Sequence, residues 1–434
     1  MKTPSILLIA LALSWAGGGG RAQSLPPPRA AGTASEQLNQ IHADLKRTHA
    51  ANDAAGFLAA ANRNVELLNG SPDSLLQLMS AQAFAGDTPA ALATFTQFVR
   101  MGQSDEDTLN LPQFEKLRAD PGFAAIHAQM AANTRPLSRA TEAFSLTDPG
   151  LLPEDIDYDP ATKLFYITSV LEDKILAVDT SGTARLFASA PDPWPMLAIK
   201  VDSRRHLLWA TEVALDGFDT CPRQDWGRSA IVMYDLPTHK LLRRIEGPPK
   251  SGLADMALTN DGDAIVSDSA GAGVYRVGHE TLTLERLDSG EFISPQTPAI
   301  SPDGKTIYIP DYDRGIGILN LRNRHVTWIP INGSHALNGI DGVYLYGNTL
   351  IATQNGTSPE RVTQFALDPA LAQITSASVI ERATPTLGDP THGVIVDGNF
   401  YYIANSGWNT LDDHGRRKPG ISPSPPLIMR APLH

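Results

Sequence analysis

The chain has 434 residues, of which 42% are hydrophobic and 19% are charged, and its formal net charge at pH 7 is −12. This length allows two or three domains with a substantial core. The diffuse acidic balance argues against nucleic acid and anionic membranes as partners, and it favours solubility and cation binding. The single cysteine, Cys221, excludes an internal disulfide.

The first 22 residues have the pattern of an export signal. Lys2 supplies a positive charge, residues 5–16 form a short apolar run, and residues 20–22 form a small-x-small cleavage site. The run is too short to span a bilayer comfortably, and no later segment is long and apolar enough to do so. We therefore expect a cleaved signal peptide at 1–22 and a periplasmic or secreted mature chain without a membrane span. A retained membrane anchor is the alternative.

A helical segment follows the signal. Residues 23–34 are rich in Pro and Ala and indicate an extended linker. Over 35–135, Ala, Leu, Gln and Met recur at helical spacing, and residues 53–58 align with 87–92 at an offset of about 34 residues, the period of a tetratricopeptide repeat. The sequence thus predicts a tetratricopeptide-like helical domain over 35–135. It could bind a protein partner, or it could serve as a structural cap or spacer.

From residue 141 to 434, short β-rich runs alternate with Gly, Asp and Pro turns. One unit recurs six times at a spacing of about 40 to 60 residues: an apolar strand, a turn, and a second apolar strand ending in a small or polar residue. The fold class is therefore mainly β, with a six-bladed β-propeller preceded by a small α-helical domain. Residues 143–146 are predicted to form the outer strand of the sixth blade beside residues 427–430, which closes the ring.

Four motifs carry a resemblance to a known family. They are Pro153-Glu154-Asp155 at blade one, Ser301-Pro-Asp-Gly-Lys-Thr-Ile-Tyr308, Gly339-Ile-Asp-Gly342 at blade five, and Tyr-Ile-Ala-Asn405. Together they resemble SMP-30/gluconolactonase/LRE-like propellers, over about residue 141 to the C-terminus. The resemblance specifies a fold more closely than an activity, because propellers with the same blade pattern differ in chemistry.

The residue at the start of each blade's first strand should face the opening of the central channel. Aligning the blades places there Glu154, Leu197, Ala254, Gln296, Asp341 and His392, with Asp255 one step further. Carboxylate and amide oxygens suit Ca²⁺, Mg²⁺ or Mn²⁺, and an imidazole suits Mn²⁺ or Zn²⁺. These positions therefore offer ligands for a divalent cation.

The resemblance implies specific ligands. In lactonase-like members of the family, a glutamate, asparagines and an aspartate hold one divalent cation, and by position Glu154 resembles that glutamate and Asp341 that aspartate. Gln296 stands at the blade-four asparagine position and keeps a carbonyl oxygen, whereas Ala254 stands at the blade-three position and offers none. His392 is an additional polar group. We expect Glu154, Gln296 and Asp341 as the metal ligands of an altered site.

The implied activity is a metal-dependent hydrolase acting on lactones, sugar lactones first, or on related small esters. Asp341 or Asp255 would be the general base, and His392 an alternative base or a substrate ligand. Each of these residues also has a purely structural interpretation, as a strand start, a turn residue or a hydrogen-bonded histidine. The alternative function is a non-catalytic module that binds a small ligand or a protein through the helical repeats and the propeller rim, which Ala254 favours.

Other features leave alternatives open. Cys221 is a nucleophile or, in its loop-like context, incidental. Asn69, Asn332 and Asn355 each begin an Asn-Gly-Ser/Thr triplet, which is a glycosylation acceptor in a glycosylating host or simply turn chemistry. Trp408 lines the channel opening or packs beside a blade tip.

Overall fold

A computed structural model describes residues 32–331 and 333–433. The predicted export signal, residues 23–31 of the predicted linker and Asn332 lie outside the described residues. Among the residues that are described, no helix has the length and apolar character needed to cross a membrane.

Seven helices form the N-terminal region of the described chain. They are α1 (Ala34–Ala50), α2 (Ala54–Leu67), α3 (Pro72–Phe84), α4 (Thr88–Arg100), α5 (Glu106–Leu109), α6 (Glu115–Arg118) and α7 (Phe123–Asn133). Short connections make α1 pack on α2, α2 on α3 and α3 on α4. Phe57 lies in one buried cluster of this region and Phe95 in a second.

The sequence repeat of the helical region marks the starts of two helices. Asp53 caps α2, where its Oδ1 accepts a hydrogen bond from Gly56 N at 2.9 Å, and Asp87 caps α4, where its Oδ1 accepts from Ala90 N at 3.1 Å. An aspartate at this position satisfies an amide that the helix leaves unpaired. The two repeated segments thus have the same structural role, since each begins with an aspartate that caps a helix. The tetratricopeptide-like character of the region stays a prediction.

Six sheets follow, and the predicted six-bladed β-propeller is confirmed. Blade one contains β3 (Pro153–Asp159), β4 (Leu164–Ser169), β5 (Lys174–Val178) and β6 (Ala184–Ser189). Blade two contains β7 (Met196–Asp202), β8 (Leu207–Val213), β9 (Ser229–Asp235) and β10 (Leu241–Glu246). Blade three contains β11 (Leu253–Leu258), β12 (Ala264–Asp268), β13 (Gly273–Val277) and β14 (Leu284–Arg286).

The other three blades have the same order. Blade four contains β15 (Ala299–Ile300), β16 (Thr306–Asp311), β17 (Gly315–Asn320) and β18 (Val326–Trp328). Blade five contains β19 (Gly342–Tyr346), β20 (Thr349–Gln354), β21 (Arg361–Leu367) and β22 (Ile374–Arg382), with β1 (Leu137–Ser138) added at its edge. Blade six contains β23 (Gly393–Val396), β24 (Asn399–Ile403), β25 (Leu427–Pro432) and β2 (Thr141–Ser145).

The first strands of the blades form the inner ring. β3 contacts β7, and the contacts continue through β11, β15, β19 and β23 back to β3. The outer strand of blade six is β2, in which Phe144 lies opposite Ile428 of β25. The predicted closure by strands from both ends of the segment is therefore confirmed. The short strand β1 was not predicted, because two residues carry no periodicity.

Hydroxyl groups near the end of the second strand join each of three blades to the next. Each donates a hydrogen bond to the backbone carbonyl of the next blade's ring residue. The pairs are Thr168 Oγ1 to Leu197 O (2.6 Å), Thr211 Oγ1 to Ala254 O (3.4 Å) and Ser267 Oγ to Gln296 O (2.8 Å). The same contact thus fixes the ring residues of blades two, three and four, so these three positions are equivalent.

The helices dock on loops of blades four and five. Arg314, between β16 and β17, donates from Nε to Leu67 O at 2.9 Å, and Ser104 N donates to Ser358 O in the β20–β21 loop at 2.7 Å. Leu75 of α3 packs against Ala336 in the connection leading to β19. Because these loops lie at the same end of the blades as the starts of the first strands, the helical region stands beside the channel opening.

Candidate metal and active site

Three of the predicted ring residues converge at the channel opening. Glu154 is the second residue of β3, while Asp341 and His392 immediately precede β19 and β23. One potential ligand atom from each of the three lies within 4.8 Å of the others. Blade one and the last two blades, from opposite ends of the propeller segment, therefore meet in a single cluster of acidic and imidazole groups.

β-bulges occur at the ring positions of the first three blades. A bulge sets two residues opposite one, bends the strand and turns a side chain in a new direction, and it is frequent beside functional sites. The pairing register shifts between Pro153 and Ile156, between Met196 and Ile199, and between Leu253 and Asp255. The bulges explain why Glu154, Leu197 and Ala254 lie within their strands rather than just before them.

His392 is oriented by two neighbours. Its Nε2 lies 3.0 Å from Asp255 Oδ1 and 2.9 Å from Thr297 Oγ1, and Thr297 Oγ1 donates to the same Asp255 oxygen at 2.6 Å. Because the Thr297 hydroxyl proton goes to the carboxylate, its oxygen can only accept from the imidazole. The contacts thus put a proton on Nε2 of His392, so Nδ1 is the ring nitrogen that can gain or lose a proton.

The environment favours the charged form of His392. Burial by itself lowers the pKa of this imidazole, since the charged form loses its hydration. The hydrogen bond to Asp255 and the negative charges of Asp341 and Asp155 outweigh burial and raise the pKa of His392 well above its usual value. The surrounding carboxyl groups thus favour the charged form of His392 over the neutral form.

The pKa values of two carboxyl groups in the cluster, Asp341 and Glu154, are raised as well. Burial raises the pKa of Asp341 to about 7, with His392 opposing and Asp255 reinforcing the shift. Burial and the nearby Asp341 charge raise the pKa of Glu154 well above its usual value, although Trp408 Nε1 donates to Glu154 Oε2 at 2.5 Å. Burial thus favours the protonated form of both groups, and another positive charge would favour the ionised form.

Asp341 carries a buried oxygen with an unused hydrogen-bonding capacity. Its residue is 8% exposed, and its Oδ2 has no hydrogen-bond partner within the described part of the chain. This oxygen lies 3.9 Å from His392 Nε2. A buried carboxylate oxygen without a partner is costly, so a ligand that takes it stabilises the site.

The charges around His392 do not balance. The carboxylates are those of Glu154, Asp155, Asp255 and Asp341, and the contacting cations are His392 and Lys200, whose Nζ lies 2.5 Å from Asp155 Oδ2. If all four carboxyl groups were ionised, four negative charges would face two positive charges, an excess of two in a buried cluster. Either proton uptake or one divalent cation removes this excess. The charge and the oxygen donors of the site therefore fit a divalent cation.

The structure gives the remaining predicted site residues different surroundings. Asp255 lies in the cluster through its contacts with His392 and Thr297. Gln296 instead directs its amide to the preceding loop, where Nε2 donates to Ser294 Oγ at 3.0 Å and to Ser294 O at 3.3 Å. Both bonds use the amide nitrogen, and the role of Gln296 as a metal ligand through its carbonyl oxygen remains a prediction.

Three further residues of the site were not predicted from the sequence. Thr297 fixes His392, and Tyr312 Oη donates to Asn355 Oδ1 at 3.0 Å. Asn355 also hydrogen-bonds the carboxyl group of Asp341. The triplet at Asn355 therefore contributes to the site, whereas the one at Asn69 forms a turn with a φ of 53°. For these three residues, the only indication in the sequence was that Thr297 directly follows the predicted ligand Gln296.

The comparisons with known proteins give structural neighbours only. No protein-family model matches the chain, and no curated protein matches it. It is similar to the PQQ-bound aldose sugar dehydrogenase of Streptomyces coelicolor, with a TM-score of 0.47 and 11% identity, over 68% of this chain and 99% of that chain. It is also similar to regucalcin, a calcium-binding protein of Agrobacterium tumefaciens, with a TM-score of 0.47 and 16% identity, over 67% and 94% of the two chains.

A third neighbour is a gluconolactonase of Xanthomonas campestris, with a TM-score of 0.46 and 16% identity, over 70% of this chain and 93% of that chain. Regucalcin and gluconolactonase are of the kind that the sequence motifs resemble. Since the three neighbours have different activities, their similarity does not assign one to this chain. The six-bladed fold follows from the strand order of the chain itself.

Proposed function

We propose that this protein is a divalent-cation-dependent hydrolase that acts on lactones or related small esters at the opening of the propeller channel. The observation that carries the proposal is the convergence of Glu154, Asp341 and His392, with ligand atoms within 4.8 Å of one another. Ca²⁺, Mg²⁺, Mn²⁺ and Zn²⁺ are the candidate cations, because the donors are carboxylate oxygens with an imidazole nearby.

Glu154 and Asp341 would hold the cation, since the Asp341 Oδ2 atom is buried without a partner. Gln296 would join them through its carbonyl oxygen, because its amide nitrogen is bound to Ser294. His392 is a ligand only through Nδ1, because Nε2 carries the proton that Asp255 and Thr297 hold. A divalent cation at this place supplies a Lewis acid for an ester carbonyl.

Side chains of the site would carry out the proton transfers that ester hydrolysis requires. A proton has to leave the attacking water, and the oxygen of the broken C–O bond has to gain one. Asp341 would accept the water proton on a carboxylate oxygen that the cation leaves free, and would then pass it to the leaving oxygen. Asp255 keeps the ring of His392 oriented, and His392 is the alternative base or a substrate ligand.

Cation binding should depend on pH in a definite direction. The pKa of Asp341 is raised to about 7 in the folded protein, so the stability that this carboxyl contributes is present at low pH and is lost as the pH rises through 7. A cation binds the carboxylate form and restores that stability. We expect an added divalent cation to raise Tm more at about pH 8 than at about pH 5.5.

Thermal unfolding with each of the four cations measures this effect. A cation at about a hundred times its Kd should add about 2.7 kcal/mol to the free energy of unfolding. Glu154→Gln is the matched control, because it keeps the side-chain shape and removes one charged ligand. An unchanged Tm with all four cations at both pH values contradicts the proposed cation site.

We also propose that the protein is exported to the periplasm or secreted, on the basis of residues 1–22. The mature protein recovered from its native host should begin near Gln23, because the small-x-small site lies just before it. Mass spectrometry of the N-terminal peptide makes the measurement. Intact Met1 on that protein would contradict cleavage and favour a retained anchor.

A non-catalytic binding module is the second candidate function. It is favoured by the apolar residues Leu197 and Ala254 at two of the six ring positions, where they reduce the number of donors. Hydrolysis assays separate the two functions, because a binding module saturates with ligand without releasing a carboxylic acid.

A further inference from the structure

Apolar side chains surround the ring positions Leu197 and Ala254 of blades two and three. Five partly buried side chains pack there on a buried cluster that includes Trp194, Leu197 and Phe218. We call them the apolar rim, and they are Leu171, Leu215, Trp226, Ala254 and Trp408.

Two long loops build most of this rim. Residues 214–228 connect β8 to β9, and residues 404–426 connect β24 to β25. The loops touch where Asp219 N donates to His414 O at 3.1 Å, and the side chains of Arg416 and Asp219 form an ion pair there. Loops of this length within a compact domain usually serve a function, such as covering or shaping a binding site.

The rim adjoins the proposed cation ligands directly. Trp408 belongs to it, and its indole nitrogen donates to Glu154 Oε2 at 2.5 Å. Asp341, in the same cluster, hydrogen-bonds Asn355, whose side-chain oxygen also accepts from Tyr312. A molecule bound at the cluster therefore has these polar groups and, through Trp408, the apolar rim as neighbours.

We propose that the substrate is a lactone or ester with an alkyl or aryl substituent that packs on the apolar rim, in place of a polyhydroxylated sugar lactone. This inference rests on the proposed hydrolase function. Sugar hydroxyls placed against Leu215, Trp226 and Ala254 would lose water without gaining hydrogen bonds, which is costly. Each methylene buried there instead raises affinity about fourfold.

Binding of three lactams tests the inference without turnover. The probes are δ-valerolactam, its 6-pentyl derivative and the polyhydroxylated gluconolactam, measured calorimetrically with the full chain in the absence of metal. The pentyl lactam should bind about tenfold or more tightly than δ-valerolactam. Leu215→Asn should remove most of this advantage and leave the affinity for δ-valerolactam unchanged.

Leu242→Asn is the matched control, because Leu242 is 39% exposed on the outer strand β10, away from the opening. It should keep the full preference for the pentyl lactam. Equal affinities for the pentyl and unsubstituted lactams, tighter binding of gluconolactam, or no binding of any lactam at millimolar concentration would overturn the inference.

The corresponding three lactones, assayed with a divalent cation, test the proposed function separately. Preferred hydrolysis of the pentyl lactone supports both proposals. If the pentyl lactam binds best and no lactone is hydrolysed, the hydrolase proposal fails while the apolar ligand site stands. If gluconolactone is hydrolysed most efficiently, the hydrolase stands and the inference about the substituent fails.

Discussion

Asp341→Asn should lower kcat for lactone hydrolysis by about a hundredfold or more while the protein stays folded. The substitution keeps the shape of a side chain that is 8% exposed, and it removes both the proton acceptor and one charge for the cation. Burial disfavours the charged carboxylate of Asp341. The neutral amide of the variant should therefore leave the metal-free protein at least as stable as the wild type at about pH 8. Steady-state kinetics at saturating cation and metal-free thermal unfolding give the two measurements.

Two companion variants separate binding from proton transfer. Glu154→Gln should weaken cation affinity, and additional cation should partly restore activity, because Glu154 is proposed only as a ligand. His392→Ala should lower kcat less than Asp341→Asn if Asp341 is the base. A loss in His392→Ala as large as that in Asp341→Asn would move the role of base to His392. Near-normal kcat in Asp341→Asn would contradict the proposed chemistry.

Arg361→Ala should lower the free energy of unfolding by about 2–4 kcal/mol. Arg361 is 5% exposed, and its guanidinium donates to Gly102 O at 2.8 Å, Met101 O at 3.4 Å and Pro359 O at 3.1 Å. Burial lowers the pKa of Arg361 to about 10, so it is still charged at pH 7. The first two carbonyls follow the end of α4, where the helix dipole favours a cation.

The same variant should also weaken cation binding. Arg361 ends the β20–β21 loop, which carries Asn355, and Asn355 hydrogen-bonds both Tyr312 and the Asp341 carboxyl group. Loosening the contact between this loop and the helical region should therefore disturb the hydrogen bond that Asn355 makes with Asp341. Urea unfolding measures the stability, and calorimetric titration with the cation measures the affinity.

Arg382→Ala is the matched control for Arg361→Ala. Arg382 also donates to a backbone carbonyl of the helical region, Arg135 O at 3.2 Å, but this hydrogen bond is exposed and Arg382 is only partly buried. Arg382→Ala should lower the free energy of unfolding by less than about 1 kcal/mol, because an exposed hydrogen bond is readily replaced by water. Equal losses in the two variants would show that burial of Arg361 is not what holds the helices to the propeller.

The sequence by itself was sufficient for the architecture. Six recurring strand pairs predicted six blades, and the β-rich segments at 143–146 and 427–430 predicted the closure that Phe144 and Ile428 make. These features are local, since the alternation of apolar residues along a strand is visible within one segment. Counting from each strand start was also enough to place Glu154, Asp341 and His392 at one opening.

The tertiary structure alone decided how those residues are used. The side chain of Gln296 faces Ser294, and Thr297, its neighbour, holds His392 instead. Such choices depend on rotamers and on partners from other blades, which no single segment specifies. The docking of the helices is equally non-local, because Arg361 and Gly102 come together only after both regions have folded. Burial, which raises the pKa of Asp341, arises from the packing of blades around the opening rather than from the residues beside it in the chain.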